Sequence, residues 1–244
     1  MKFIRKFFIT GLFALSLFPF TSNIAQDSVD LGADIVSRYI WRGLDFGYSP
    51  AVQPSLKFIS GNFEFNIWGS YQTTRSASVP AADELDLLFS YSVKLGGSGT
   101  LNFLLTDYYF PTAGFRLFNF NSDKDAGGGA HTFEGGVTYS GPESLPITIS
   151  GYVNFYSGTD SDNSSYFEIS YSQKLDNIGL NLFLGASPGG KGKFYGTEKF
   201  NVIDLGLTAS KSIKITEDFQ LPVFVSYVIN PNSEIAYFIF GVSL

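Results

Sequence analysis

Acids, bases and nucleophiles at a workable spacing are scarce in this chain of 244 residues, which has one histidine and no cysteine. His131 is followed by Thr132 and Glu134. On a strand, positions 131 and 134 point to opposite faces, so a local dyad is geometrically poor. The residue reads as a rim histidine in a membrane interface, and a lipid-modifying enzyme is the weakest of the functional readings. Ser187-Pro188-Gly189-Gly190-Lys191-Gly192-Lys193 superficially resembles a phosphate loop. Gly192 stands where Ser or Thr is required and no helix follows, so the stretch reads as an exposed basic loop. Asp160-Ser161-Asp162-Asn163 lacks the glycine and distal glutamate of a calcium loop and reads as a solvated turn. Neither metal nor cofactor nor catalytic set is expected.

What remains is a series of charged side chains spaced two apart within apolar stretches. Glu84, Asp86, Ser90, Ser92 and Lys94 alternate with Leu85, Leu87, Phe89, Tyr91 and Val93, which is the period of a strand. Glu64, Glu134, Glu168 and Asp204 fall likewise opposite the apolar set. With Asp34, Arg38 and Trp68 they are the candidate lumen-facing residues of a barrel. The acids outnumber Arg38, Lys57 and Lys94, so a conduit lined by them prefers cations or neutral solutes. Against an open path, inward Trp68, Leu88, Tyr152, Tyr156, Phe183 and Phe224 could fill a cylinder of about twelve strands. The two outcomes are evenly balanced.

The elements that must position these residues are strands throughout. About twelve segments of roughly ten residues follow one another, the length a tilted strand needs to cross hydrocarbon. Connections alternate: Gly61-Asn62, Gly96–Gly99, Ser140–Pro146, Asp176-Asn177 and Lys211–Asp218 are mostly short, while Ile40–Pro50, Thr73–Ala82, Pro111–Gly129, Ser157–Ser164 and Ser187–Lys199 are longer. The last strand, Ala236–Leu244, puts Ala236, Phe238, Phe240, Val242 and Leu244 on one face. These features predict an all-β, transmembrane, antiparallel up-and-down barrel with short turns on the periplasmic rim. A secreted sandwich or lipocalin-like barrel shares the alternation; the narrow core of such a barrel could not seat the mid-strand acids, whereas a sandwich could place them outside.

Lys2, Arg5 and Lys6 precede the apolar run 7–20, giving residues 1–25 the pattern of a signal peptide and leaving 26–244 as one barrel domain. Loss of those three cations takes the formal charge from −6 to −9, which argues against nucleic acid as a partner. The expected location is the bacterial outer membrane, with outer-membrane lipid and small solutes as partners and no disulfides to hold the fold.

Ser37-Arg38-Tyr39-Ile40-Trp41-Arg42-Gly43, followed by Pro50-Ala51-Val52-Gln53, then Trp68-Gly69-Ser70, Glu84-Leu85-Asp86-Leu87 and Tyr108-Tyr109-Phe110-Pro111, resembles the Gcw_chp family of bacterial conserved hypothetical outer-membrane proteins. The family motif falls on Ser37, Tyr39, Arg42 and Gly43. The resemblance implies a barrel of unknown function with no catalytic residues to carry over. Arg38 and Arg42 could contact an anion at the mouth; pairing with Asp34, Glu84 or Asp86 to fix the wall is the favoured reading. The functional expectation is a narrow, porin-like channel for small cationic or neutral solutes. The alternative is a non-conducting surface barrel whose loops Pro111–Gly129 and Ser187–Lys199 bind a partner or lipid.

Overall fold

The computed structural model describes residues 27–74, 83–122, 128–157, 160 and 162–244; the expected signal peptide lies outside them. Among the described residues, fourteen strands run in chain order: β1 (Ser28–Val36), β2 (Ile40–Trp41), β3 (Leu44–Asp45), β4 (Ala51–Ser60), β5 (Phe63–Gln72), β6 (Glu84–Lys94), β7 (Thr100–Tyr109), β8 (His131–Ser140), β9 (Ile147–Ser157), β10 (Ser165–Leu175), β11 (Ile178–Ser187), β12 (Asn201–Lys214), β13 (Gln220–Asn230) and β14 (Ile235–Ser243). All but β2 and β3 form one closed antiparallel barrel of twelve strands. β1 closes it, paired with β4 from Ser28↔Ile59 to Val36↔Ala51 and with β14 through Asp34↔Ser243, Ile35↔Val242 and Val36↔Gly241. Closure leaves no unpaired edge, which is what a sheet in hydrocarbon requires.

The pleat sorts side chains as the alternation predicts. Outward positions carry Leu31, Phe89, Phe103, Ile149, Phe167, Leu182 and Phe238, all exposed. Phe89 is 49% and Phe240 59% exposed, so the greasy face is the outer one. Inward positions carry Gln53, Asn66, Glu84, Asp86, Thr106, Glu134, Asn154 and Asp204, all buried. That distribution is the reverse of a soluble barrel's, and an apolar belt around the whole circumference far exceeds what a monomeric soluble protein exposes.

Two-residue turns at Gly61-Asn62 and Asp176-Asn177 lie on the rim that also holds both ends of the barrel. There β12 departs from expectation: instead of turning at Lys211 it continues through Lys214, paired with β13 to Gln220. Two β-bulges break the alternation. Phe133↔Tyr156 is followed by Glu134↔Asn154, so Phe155 is the extra residue. The bulge reverses the parity beyond it, and Tyr156, expected inside, instead packs on outward Phe133 with ring centroids 5.5 Å apart. Gly185↔Asp204 is followed by Ala186↔Val202, so Ile203 is extra on β12.

The largest departure concerns the first outer connection. The middle of the segment 37–50 does not lie over the rim as a loop; β2 and β3 pair as a short hairpin, Trp41↔Leu44 and Ile40↔Asp45, and Tyr39, Ile40, Trp41 and Arg42 are all buried.

Placing an arginine in the middle of the outward belt should cost about 2–4 kcal/mol. Phe89→Arg and Leu182→Arg should each lower stability by that order in urea titrations of protein refolded into lipid vesicles, with unchanged stability placing that face away from hydrocarbon.

Candidate functional site

The site is built on the inward hairpin. Ser37 ends β1 by holding β14, its amide donating to the Phe240 carbonyl at 2.8 Å and its Oγ accepting from the Phe240 amide at 3.0 Å. Tyr39 then turns in against Trp68 and Phe46, ring centroids 5.5 and 5.8 Å away. At the tip, Arg42 has φ +49° and Gly43 φ +72°, the paired positive values of a two-residue type I′ turn. An arginine in that conformation costs about 1–2 kcal/mol, and the surroundings must hold it there. Gly43 is required for a second reason: a Cβ there would lie 1.8 Å from the carbonyl oxygen of the bulged Ile203. Asn230 Nδ2 donates to the Gly43 carbonyl at 3.0 Å, tying the tip to β13.

Arg42 reaches the far wall. Its two terminal nitrogens donate to the Glu134 carboxylate at 2.5 and 2.9 Å, and Nη1 also donates to the Tyr195 hydroxyl at 2.5 Å. Tyr108 donates to Glu134 Oε1 at 2.9 Å. The guanidinium carbon lies 4.3 Å from the Trp41 and Tyr152 ring centroids, 4.6 Å from Tyr166 and 5.9 Å from Tyr195. Around the barrel, β8 is separated from β1 by six strands on one side and four on the other. The hairpin therefore spans the bore. Burial works against the Arg42 charge, but Glu134 together with the Tyr195 and Tyr108 hydroxyls holds the guanidinium protonated. Burial lifts the Tyr195 phenol above its ordinary range despite the opposing pull of Arg42.

Arg42 and Glu134 were each candidates, yet the pairing differs from the expected ones with Asp34, Glu84 or Asp86. Arg38 is not in the lumen either: it stands at the rim, paired with Asp45 and half exposed, over the Tyr48 and Tyr237 rings. Trp68, Glu84 and Asp86 lie beneath Tyr39, whose phenol is lifted well above its usual range by burial and, behind it, by those two carboxylates. Glu168 and Asp204 converge on Tyr166, whose hydroxyl is 2.7 Å from one and 3.1 Å from the other. Gly185 makes room for it, since a Cβ there would sit 2.0 Å from that oxygen. Glu64 lies apart near the short-turn rim, paired with Lys57 at 3.1 Å. Asp34 sits at the β1–β14 seam opposite Ser243.

The acids lie in a packed interior: Glu84, Asp86, Glu134 and Asp204 are each no more than 2% exposed. The hairpin and the wall form one cluster of Tyr39, Trp41, Trp68, Tyr108, Tyr166, Tyr195 and Ile203. A second inward cluster joins Phe183, Val228 and Ile239 of the wall to Ile40, with Phe224 packed against it as expected. Toward the short turns hydroxyl and amide side chains bond across strands, with Thr138 donating to Ser150 at 3.1 Å, Ser172 to Asn181 at 2.9 Å, and Thr208 and Ser226 2.8 Å apart.

Of three other motifs, the histidine and the basic loop lie where the sequence put them, at the rim and exposed respectively, and the Asp160 turn does not. His131 faces outward, Nδ1 2.9 Å from Asp107 and Nε2 on the Leu117 carbonyl, with Phe120 stacked at 4.0 Å. Both nitrogens are engaged, and neither by a nucleophile. Asp160 is buried rather than solvated, accepting from Asn154 Nδ2 and the Ser164 amide, each at 2.8 Å. Within the basic loop, Asp162 holds the Gly192 amide and Tyr195 is carried inside.

Sequence reasoning missed Tyr108, Tyr166 and Tyr195 as site residues. Strand parity already set Tyr108 with Thr106 and Tyr166 with Glu168 on the inner face; nothing periodic marks Tyr195 in its glycine-rich loop.

A closed twelve-stranded antiparallel barrel with its apolar face outward defines the class: the fold fits an outer-membrane barrel. A structure solved in work described as "Unveiling the Mechanism Behind the in-meso Crystallization of Membrane Proteins" is similar to this chain with a TM-score of 0.51, over 90% of this chain and 83% of that one, at 8% sequence identity. That likeness is one of fold alone. No family model matches the chain, and no curated protein does.

Removing one partner of a buried ion pair costs about 3–5 kcal/mol because the other charge is stranded. Glu134→Ala should lose that much in urea titrations. Gly43→Ala, which drives a Cβ into the Ile203 carbonyl, should leave the barrel closed but free the hairpin, read as new protease cleavage between residues 37 and 50. Intact resistance to cleavage would show the tip does not depend on that contact.

Proposed function

We propose that the chain is a bacterial outer-membrane barrel of the kind the Gcw_chp resemblance implies, passing small cationic or neutral solutes through a bore kept shut by its own first outer hairpin. It performs no catalytic step. The observation that carries this reading is the Arg42–Glu134 pair, made between the tip of an inward hairpin and the far wall. Beneath that tip lie acids that would line a path once the hairpin withdrew, and below them hydroxyl and amide side chains that polar solutes could follow past the Phe183 and Phe224 rings. Opening gives up a bidentate, charge-assisted contact and the ring faces that flank the guanidinium, and the closed form is the one these contacts favour.

One observation favours the alternative. Residues 115–120 are strapped against the outward wall by His131, by Tyr156 on the Phe120 carbonyl and by Tyr109 on the Phe115 carbonyl, which leaves Leu117, Phe118 and Phe120 exposed beside the belt. A non-conducting barrel that grips outer-leaflet lipid with this loop would look the same.

Planar-bilayer recordings separate the two. The native protein should be almost silent, while Arg42→Ala and Glu134→Gln should open frequently and select cations over anions. Silence of both variants, and of one with residues 40–45 replaced by a short glycine-serine link, would leave the lipid-gripping barrel.

A further inference from the structure

Arg42 is a side chain of the protein, but the pocket that holds it has the features of a receptor. Glu134 offers two carboxylate oxygens to two nitrogens of one planar group, the fork geometry that guanidinium satisfies and ammonium cannot. A third acceptor, the Tyr195 hydroxyl, completes the edge. Tyr152 and Tyr166 supply ring faces at 4.3 and 4.6 Å, and a cation between aromatic faces in a desolvated site is the arrangement used to recognise organic cations. Tyr108 fixes the carboxylate from behind. Glu168 and Asp204, held on the same Tyr166, put two further carboxyl groups on that wall. All these groups belong to the barrel wall or the β11–β12 connection, and none to the hairpin that delivers Arg42.

We infer that this pocket is a binding site for a free guanidinium-bearing cation, and that Arg42 occupies it as a tethered stand-in that such a ligand displaces. The inference rests on the hairpin being removable, as the proposed function has it, and it names the solute class that function would serve. Strain at the tip supports it: a turn that holds arginine at positive φ is one whose release is partly repaid.

Arg42→Asn gives the test, because Asn-Gly is the preferred pair for a type I′ turn and the hairpin keeps its fold while the pocket is emptied. Thermal unfolding of the detergent-folded protein would be followed in millimolar methylguanidinium, tetramethylammonium or sodium chloride at matched ionic strength. Methylguanidinium should raise the midpoint of Arg42→Asn by several degrees and that of the native protein by much less, since there it must first displace the tethered Arg42. Arg42→Asn with Glu134→Gln should lose the response, and Arg42→Asn with Tyr152→Leu should need about tenfold more ligand. Equal effects of the three salts on Arg42→Asn, or an equal response of the native protein and the variant, would overturn the site. If Arg42→Asn does not fold, Arg42→Lys carries the same comparison, since an ammonium cannot fill the fork. The readout is independent of current: a variant that conducts without the methylguanidinium response removes this inference alone, and one that responds but never conducts removes the channel alone.

Discussion

A charge buried inside a cylinder that is itself wrapped in hydrocarbon has no water to turn to, and the Arg42–Glu134 pair is how this protein meets that constraint. Both groups are almost completely buried. Either charge alone would be buried without a counterpart, so each requires the other, and the tyrosine hydroxyls and ring faces around them finish the desolvated shell. The consequences spread outward from this contact. The first outer connection must enter the barrel rather than cover it, the turn must place an arginine at positive φ, and Gly43 must come next because the Ile203 carbonyl leaves no room for a side chain. Acids that would have lined a watery channel become part of a packed core.

The interior is thereby divided by chemistry along its axis. Toward the long loops it is aromatic and acidic, filled by the hairpin and by Tyr195; toward the short turns hydroxyl and amide side chains bond across neighbouring strands, with Phe183 and Phe224 set among them on one side. The two bulges act at the boundary where the long loops leave the sheet. One aims the Ile203 carbonyl at the hairpin tip. The other turns Tyr156 to the outer wall, where it helps hold residues 115–120 against the belt. A single extra residue in each strand re-aims the side chains beyond it without breaking closure.

Within the proposed function, the hairpin is both barrier and ligand mimic. A barrier held by dispersed apolar packing would yield to many disturbances. One held by a bidentate ion pair between aromatic rings yields most readily to something that can replace that ion pair, and so couples opening to the chemistry of the solute.

Period-two alternation over strands such as Glu84–Lys94, with Gly61-Asn62 and Asp176-Asn177 between them, was enough to determine an all-β barrel, its strand number and which face looks outward. The reason is local: a strand's side-chain direction repeats every two residues, and a two-residue turn sets the register of the pair it joins. The same parity placed Glu134, Glu168 and Asp204 inside. Alternation could not show that Tyr156 leaves the interior, because a bulge costs one residue and leaves no mark in composition. Nor could it show that the middle of the segment 37–50 folds inward or that Arg42 meets Glu134 and Tyr195, 92 and 153 positions away. Those contacts are made across the bore by elements that share no hydrogen-bonded edge, and only closure of the cylinder brings them within reach.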